Sequence, residues 1–216
     1  MFEIIQEPDY DGSISRIMMH MVVPGEPDPN EKDGLSERGK NQIFELARSR
    51  LLAGPSKIYA PNSKECVTSA EILAKELYSS TTKMDCLHEI DLGTKETDEE
   101  YLRTEMTNLW NDLNYEPKNG ESLRNAQIRI SSCIDRITRM HPESTIGVVL
   151  PPIVAVLFHN IVVGGILLME DWLHLGFASC ATYEYSKNGW ALVMPPESSF
   201  LSDASKVIDI LPPGVF

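Results

Sequence analysis

Four short stretches of this sequence hold the side chains, or the gaps, on which any chemistry would turn. His20 sits in the string Met18-Met19-His20-Met21, and Lys64 and Glu65 follow Pro61 and Ser63. Glu89 follows His88, and Pro151-Pro152 interrupt an apolar run. Histidine can serve as a nucleophile or base, glutamate as a proton donor, and lysine as an anchor for an anion. Proline offers neither a side-chain donor nor a backbone N–H. Cys66, Cys86, Cys133 and Cys180 form no C-x-x-C pair, and no Cys/His cluster has zinc spacing, so no metal and no cofactor is expected. The four cysteines read as buried thiols of a reducing compartment, which places the protein in the cytoplasm.

The elements that must position these residues alternate between strand-like and helix-like. Residues 14–23 are rich in Ile, Met and Val and end at Pro24-Gly25, as a strand would. Ser36 can N-cap a helix with Ile43, Leu46, Ala47 and Leu51 at helical spacing. A short strand is expected over 56–60 and a helix from Ser63 to about residue 78. Two further helices are expected near 96–113 and over 122–140, separated by a break at 117–120. Residues 145–150 form an apolar strand of the kind buried in a parallel sheet, followed by a buried helix over 153–163. Residues 180–185 and 190–193 flank Lys187-Asn188-Gly189 and read as a β-hairpin. This alternation predicts a three-layer α/β/α sandwich around a mostly parallel sheet, a single domain over residues 1–216 with its core at about 14–201. The tail, 195–216, is expected to pack on its own domain or to dock on a partner.

Composition narrows the function classes. The 216 residues are 42 % hydrophobic and 24 % charged, the balance of a folded globular domain. The net charge of −13 repels phosphate backbones and anionic membranes, so neither nucleic acid nor a membrane is an expected partner. Between Met84 and Ser122 eleven carboxylates face three basic side chains, which reads as a solvated helical surface and a candidate contact face. The N-terminus lacks the basic and apolar regions of a secretory signal.

In parallel sheets ligands bind at the carboxyl ends of the strands. The order of motifs around those ends resembles the histidine phosphatase superfamily, the phosphoglycerate-mutase-like fold. LSERGKNQ from Leu35 looks like the family's L-T-x-x-G-x-x-Q, and IYAPNSKECVTSAEILA from Ile58 looks like Y-S-S-P-x-x-R-x-x-Q-T-A-E-I-I-A. LHEIDLGTKE from Leu87 is similar to L-x-E-x-x-x-G-x-W-E, and NGESL from Asn119 to G-G-E-S. IGVVLPPIVAVL from Ile146 stands where V-L-V-V-S-H-G-G-V-I-R-A-L would be. The resemblance implies a phosphoryl-transfer site: a histidine nucleophile in an Arg-His-Gly motif, a second Arg and a second His on the phosphoryl oxygens, and a Glu as proton donor.

Carried onto this chain, the resemblance puts the nucleophile at His20 and the acid at Glu89. It puts Met19 where the first Arg would be and Met21 where the Gly would be. The second Arg falls on Lys64 or Glu65, a partial substitute or a repulsive one, and the second His falls on Pro151. Losing one preorganised donor costs roughly 10²–10³ in rate, so little of the family's catalysis is expected to survive. The favoured expectation is a pseudophosphatase acting through an unidentified protein partner, with a homodimer as an option by analogy. One alternative is a weak or altered phosphatase or mutase using His20, Glu89 and Lys64. Another is a small-ligand module in a pocket lined by Met18, Met19, Met21, Pro151 and Pro152.

Overall fold

A computed structural model describes residues 16–29, 34–93 and 99–211. In chain order these form β1 (Ile17–Val22), β2 (Pro27–Asp28), β3 (Gly34–Leu35), α1 (Glu37–Arg48), β4 (Lys57–Ala60), α2 (Lys64–Glu76) and β5 (Ser80–Lys83). A 3₁₀ turn (Asp85–Leu87) leads to α3 (Glu99–Asn111), α4 (Leu123–Arg139), β6 (Thr145–Val149), α5 (Pro152–Val163) and α6 (Met169–Leu173). The hairpin β7 (Cys180–Ser186) and β8 (Gly189–Glu197) and a 3₁₀ turn (Val207–Ile210) complete the order. Strands run β5-β4-β6-β1-β7-β8, the first four mutually parallel and the hairpin antiparallel on one edge. No helix among the described residues is long and apolar enough to cross a membrane.

Alternation along β1 decides which side chains meet which layer. Ile17, Met19, Met21 and Val23 face the core shared with Ile130, Ile134, Val154 and Phe158 of α4 and α5. Val22 faces the other core, with Ile43 and Leu46 of α1 and Leu73 of α2. Helix starts follow the expected capping chemistry: Ser36 Oγ accepts from Gly39 N–H, and Ser122 Oγ from Asn125 N–H. The expected strand 14–23 begins at Ile17 among the described residues, and the start of the expected helix 96–113 also lies outside them. β5 has the sequence STTK; as a polar edge strand it carries no hydrophobic alternation to read. β8 extends past the expected 190–193 through Pro195-Pro196, which an outer edge strand tolerates. The tail packs on its own domain through Leu201, Ser205 and Val207; residues 212–216 lie outside the described residues.

The cysteine expectation is corrected. Cys86 and Cys133 are joined by a disulfide, Cα–Cα 5.9 Å, that ties the turn after β5 to α4, and only Cys66 and Cys180 are buried free thiols. A separation of 47 residues without a motif gives no pairing signal; only the packing of the turn on α4 brings the two sulfurs together. The bond withdraws the all-thiol premise from which a reducing compartment was expected, since such bonds persist in oxidising ones. Thiol titration of the denatured, unreduced protein is expected to count two free thiols. Cys133→Ser should lower stability by about 4 kcal/mol if loop-closure entropy governs. Four titratable thiols would contradict the bond.

Candidate ligand cleft at the strand ends

β1 delivers the chain to a bend that LSERGKNQ fastens in place. Gly25 and Gly39 are pressed together: a Cβ on Gly25 would stand 2.3 Å from the Gly39 carbonyl oxygen, and one on Gly39 would stand 2.1 Å from the Glu26 carbonyl oxygen. Glu26 N–H donates to Gln42 Oε1 (3.1 Å), and Gly25 N–H donates to Ser69 Oγ (3.1 Å). The Glu26 carboxylate accepts from Ser36 Oγ and Arg38 Nη1, both at 3.0 Å. Ser36, Gly39 and Gln42 thus hold backbone, and what they hold at the carboxyl end of β1 is Val23-Pro24-Gly25.

His20 is elsewhere, and its expected place at the site is corrected. It lies inside β1, four residues before Pro24, or about 13 Å along an extended chain. It is 3 % exposed, on the face opposite Met19 and Met21, and both ring nitrogens are occupied. Nε2 accepts from Ala53 N–H (3.2 Å), which leaves Nδ1–H to donate to Thr182 Oγ1 (3.0 Å). Burial lowers its pKa, so the ring is a neutral structural link between β1, β7 and the loop before β4. Met19 and Met21, at 0 % and 1 % exposure, are core side chains and do not line the strand-end cleft. The sequence held a clue to the true bend, because the strand pattern ends at Pro24-Gly25.

The cleft at these strand ends has a volume of about 380 Å³. Pro24 and Pro27 come from the bend after β1, Glu65 from the first turn of α2, and Glu89, Ile90 and Leu92 from the loop after the 3₁₀ turn. Glu99, Leu102 and Met106 come from α3, and Pro152 and Ile153 from the start of α5. Trp172, Phe177 and Leu211 close the remaining wall. Glu65 is half-buried and lines the cleft, whereas Lys64 is exposed and does not, which settles their order around the helix. Pro151 is buried and N-caps α5 without a side-chain acceptor.

Glu89 fills that cap. Its Oε1 accepts from Ile90 N–H (2.9 Å) and its Oε2 from Ile153 N–H (3.0 Å), with Val154 N–H also directed at the carboxylate. The free N–H groups and positive dipole end of a helix favour an anion there, and the protein's own carboxylate takes the place. Burial raises its pKa to about 7, against the pull of the three N–H groups, and the nearby Glu65 charge adds to the rise. Arg129, which the sequence reading passed over, holds the loop from α4. It pairs with both oxygens of Glu121 (2.8 and 2.6 Å) and donates to the Cys86 and His88 carbonyls at 2.9 Å each. The acidic 84–122 stretch is therefore more than a solvated face. Glu121 is tied to Arg129, and Glu105 is buried and accepts from Tyr115 OH (2.9 Å).

Among the described residues the cleft is lined by three carboxylates and no histidine, lysine or arginine. It offers general-acid capacity at Glu89 near neutral pH, and among the described residues no histidine nucleophile and no cation lines it to meet a phosphoryl group. His159, on α5, pairs through Nδ1 with Tyr183 OH (2.8 Å) and does not line this cleft.

The model of the histidine phosphatase superfamily (branch 1) matches residues 22–196. That match begins after His20. No curated protein matches the chain in sequence. Among solved structures, the chain is similar to YhfR of Bacillus stearothermophilus at 18 % identity and TM-score 0.70, covering 86 % of this chain and 99 % of that one. Phosphoglycerate mutase of Bacillus anthracis aligns at 14 % identity and TM-score 0.69, over 87 % and 96 % of the two chains. A mycobacterial glucosyl-3-phosphoglycerate phosphatase aligns at 15 % identity and TM-score 0.67, over 83 % and 97 %. At these identities the likeness establishes the fold.

Proposed function

We propose that this chain, which belongs to the histidine phosphatase superfamily, is a member without phosphoryl-transfer activity that works by binding a protein partner. The observation that carries this reading is the composition of the strand-end cleft. We align the Arg-His-Gly position with Val23-Pro24-Gly25 at the bend after β1, four residues later than the resemblance first put it, and only the glycine is kept. The second Arg position falls on Glu65, the second His position on Pro151, and the proton donor on Glu89. A proline cannot accept a phosphoryl group, because it has no nucleophilic side-chain atom. Glu65 and Glu89 oppose rather than attract the charge of a phosphate, and Glu89 occupies the helix N-terminus that could otherwise hold one.

The relatives named above include a phosphatase and a mutase, so activity is the direct test. Purified protein is expected to show no turnover of a broad panel of phosphate monoesters above that of its Glu89→Gln variant. Turnover that falls at least tenfold in Glu89→Gln would place the chain back among the enzymes of its family. His20→Ala is expected to leave such an assay unchanged, since the ring is locked between Ala53 and Thr182.

A further inference from the structure

The cleft left by the substitutions is itself a built feature. Its wall is predominantly apolar, with Leu102, Met106, Trp172 and Phe177 facing the space. Three carboxylates, Glu65, Glu89 and Glu99, reach it from α2, the loop after the 3₁₀ turn, and α3, so the negative charge does not come from one segment. No basic side chain lines it among the described residues. The chain carries a net charge of −13, and the acid-rich 84–122 stretch supplies two of the three carboxylates and much of the apolar wall. Carboxylates around an apolar cavity attract a group that is apolar in its body and positive at its end, and repel the anion that cations in the same place would hold.

We infer that the cleft receives a segment of a protein partner in which an apolar side chain stands beside a lysine or arginine. The inference rests on the binding role proposed above and names the chemistry of the occupant. The apolar side chain enters between Met106 and Trp172 and is desolvated there, while the cation stays at the rim facing Glu65 and Glu99. Glu99 is exposed and Glu65 half-buried, so the charge is met without being carried into the interior. That division matches the anatomy of short recognition sites, with a buried apolar anchor inside a polar rim.

The test is selection from a phage-displayed random heptapeptide library on the full chain, followed by fluorescence anisotropy with the synthetic peptide most often recovered. The recovered sequences are expected to pair Lys or Arg with Leu, Phe or Trp. Binding should weaken at least tenfold in Glu65→Lys, and also when the peptide's basic residue is replaced by Glu. Raising the salt from 0.05 to 0.5 M should weaken it as well. No enrichment, enrichment without basic residues, or binding untouched by Glu65→Lys overturns the inference. So does competition by 4-phenylbutylamine with no peptide recovered, which would assign the cleft to a small amine instead. Phosphatase turnover in the same preparation would overturn the proposed function; absent turnover with no basic preference would overturn only this inference.

Discussion

Gly39→Ala is expected to destabilise the protein by about 2–3 kcal/mol, although it replaces a helical glycine with the best helix former. Gly39 lies in the first turn of α1, where alanine alone would favour the helix by roughly 1 kcal/mol. The new Cβ would stand 2.1 Å from the Glu26 carbonyl oxygen and 2.7 Å from its nitrogen, and backbone on both sides cannot yield as a flexible side chain would. Relief requires α1 and the Gly25–Glu26 bend to separate, which strains the Glu26-to-Gln42 and Gly25-to-Ser69 hydrogen bonds. Urea unfolding of Gly39→Ala beside Lys40→Ala, a half-exposed neighbour on the same helix, isolates the effect. A loss within 0.5 kcal/mol (about the surface-substitution range) for Gly39→Ala would show that the two backbones are not in contact. Because the bend carries Pro24 and Pro27 into the cleft, the same variant should also bind the selected peptide more weakly.

The second large effect is a change in pH dependence on replacing Glu89. Its folded pKa of about 7 lies above the ordinary 4.5, so between these values the native state holds a proton that the unfolded state has released. Stability that Glu89 leaves intact in acid is therefore lost as pH rises through that window. The loss is about 3 kcal/mol across the whole window, of which about 2 kcal/mol falls between pH 5.5 and 8. Glu89→Gln cannot ionise and escapes the loss. It also gives up one of the two oxygens that accept from Ile90 and Ile153, a cost of about 1 kcal/mol that does not vary with pH. The variant is thus expected to be the less stable protein at pH 5.5 and to draw level with or overtake the wild type by pH 8. Denaturant titrations of both proteins at the two pH values measure this. A difference that stays constant between them would mean that the Glu89 carboxyl titrates as an exposed group does.

The two effects share a cause. In a phosphate-binding cleft, cations beside the strand ends would keep a buried glutamate ionised and give a helix N-terminus an anion to hold. Here the described lining of the cleft holds prolines and a second glutamate, and Glu89 caps α5 itself at the expense of its own ionisation. The chain has the fold of its family, and among the described residues the cleft at its strand ends carries carboxylates and no basic side chain.

By itself the sequence determined the alternation of the main strands and helices and the starts of α1 and α4. The apolar runs of β1 and β6, the caps Ser36 and Ser122, and the helical spacing of α1 and α4 are local, and composition and helical period express them directly. It also determined the order of the motifs, and with them the family. What only the tertiary structure decided is which residues face the cleft. Alternation along β1 places His20 on a face but does not say how far the strand runs before it bends; that is fixed by two glycines touching across the bend, Gly25 and Gly39. Lys64 and Glu65 are neighbours in sequence and about 100° apart around α2, so their roles depend on how that helix is turned against the sheet. Cys86 and Cys133, and Arg129 with the carbonyls of Cys86 and His88, are likewise pairs that exist only because α4 lies against the turn after β5. Distance in space between segments far apart in sequence is set by packing of whole layers, and no local pattern encodes it.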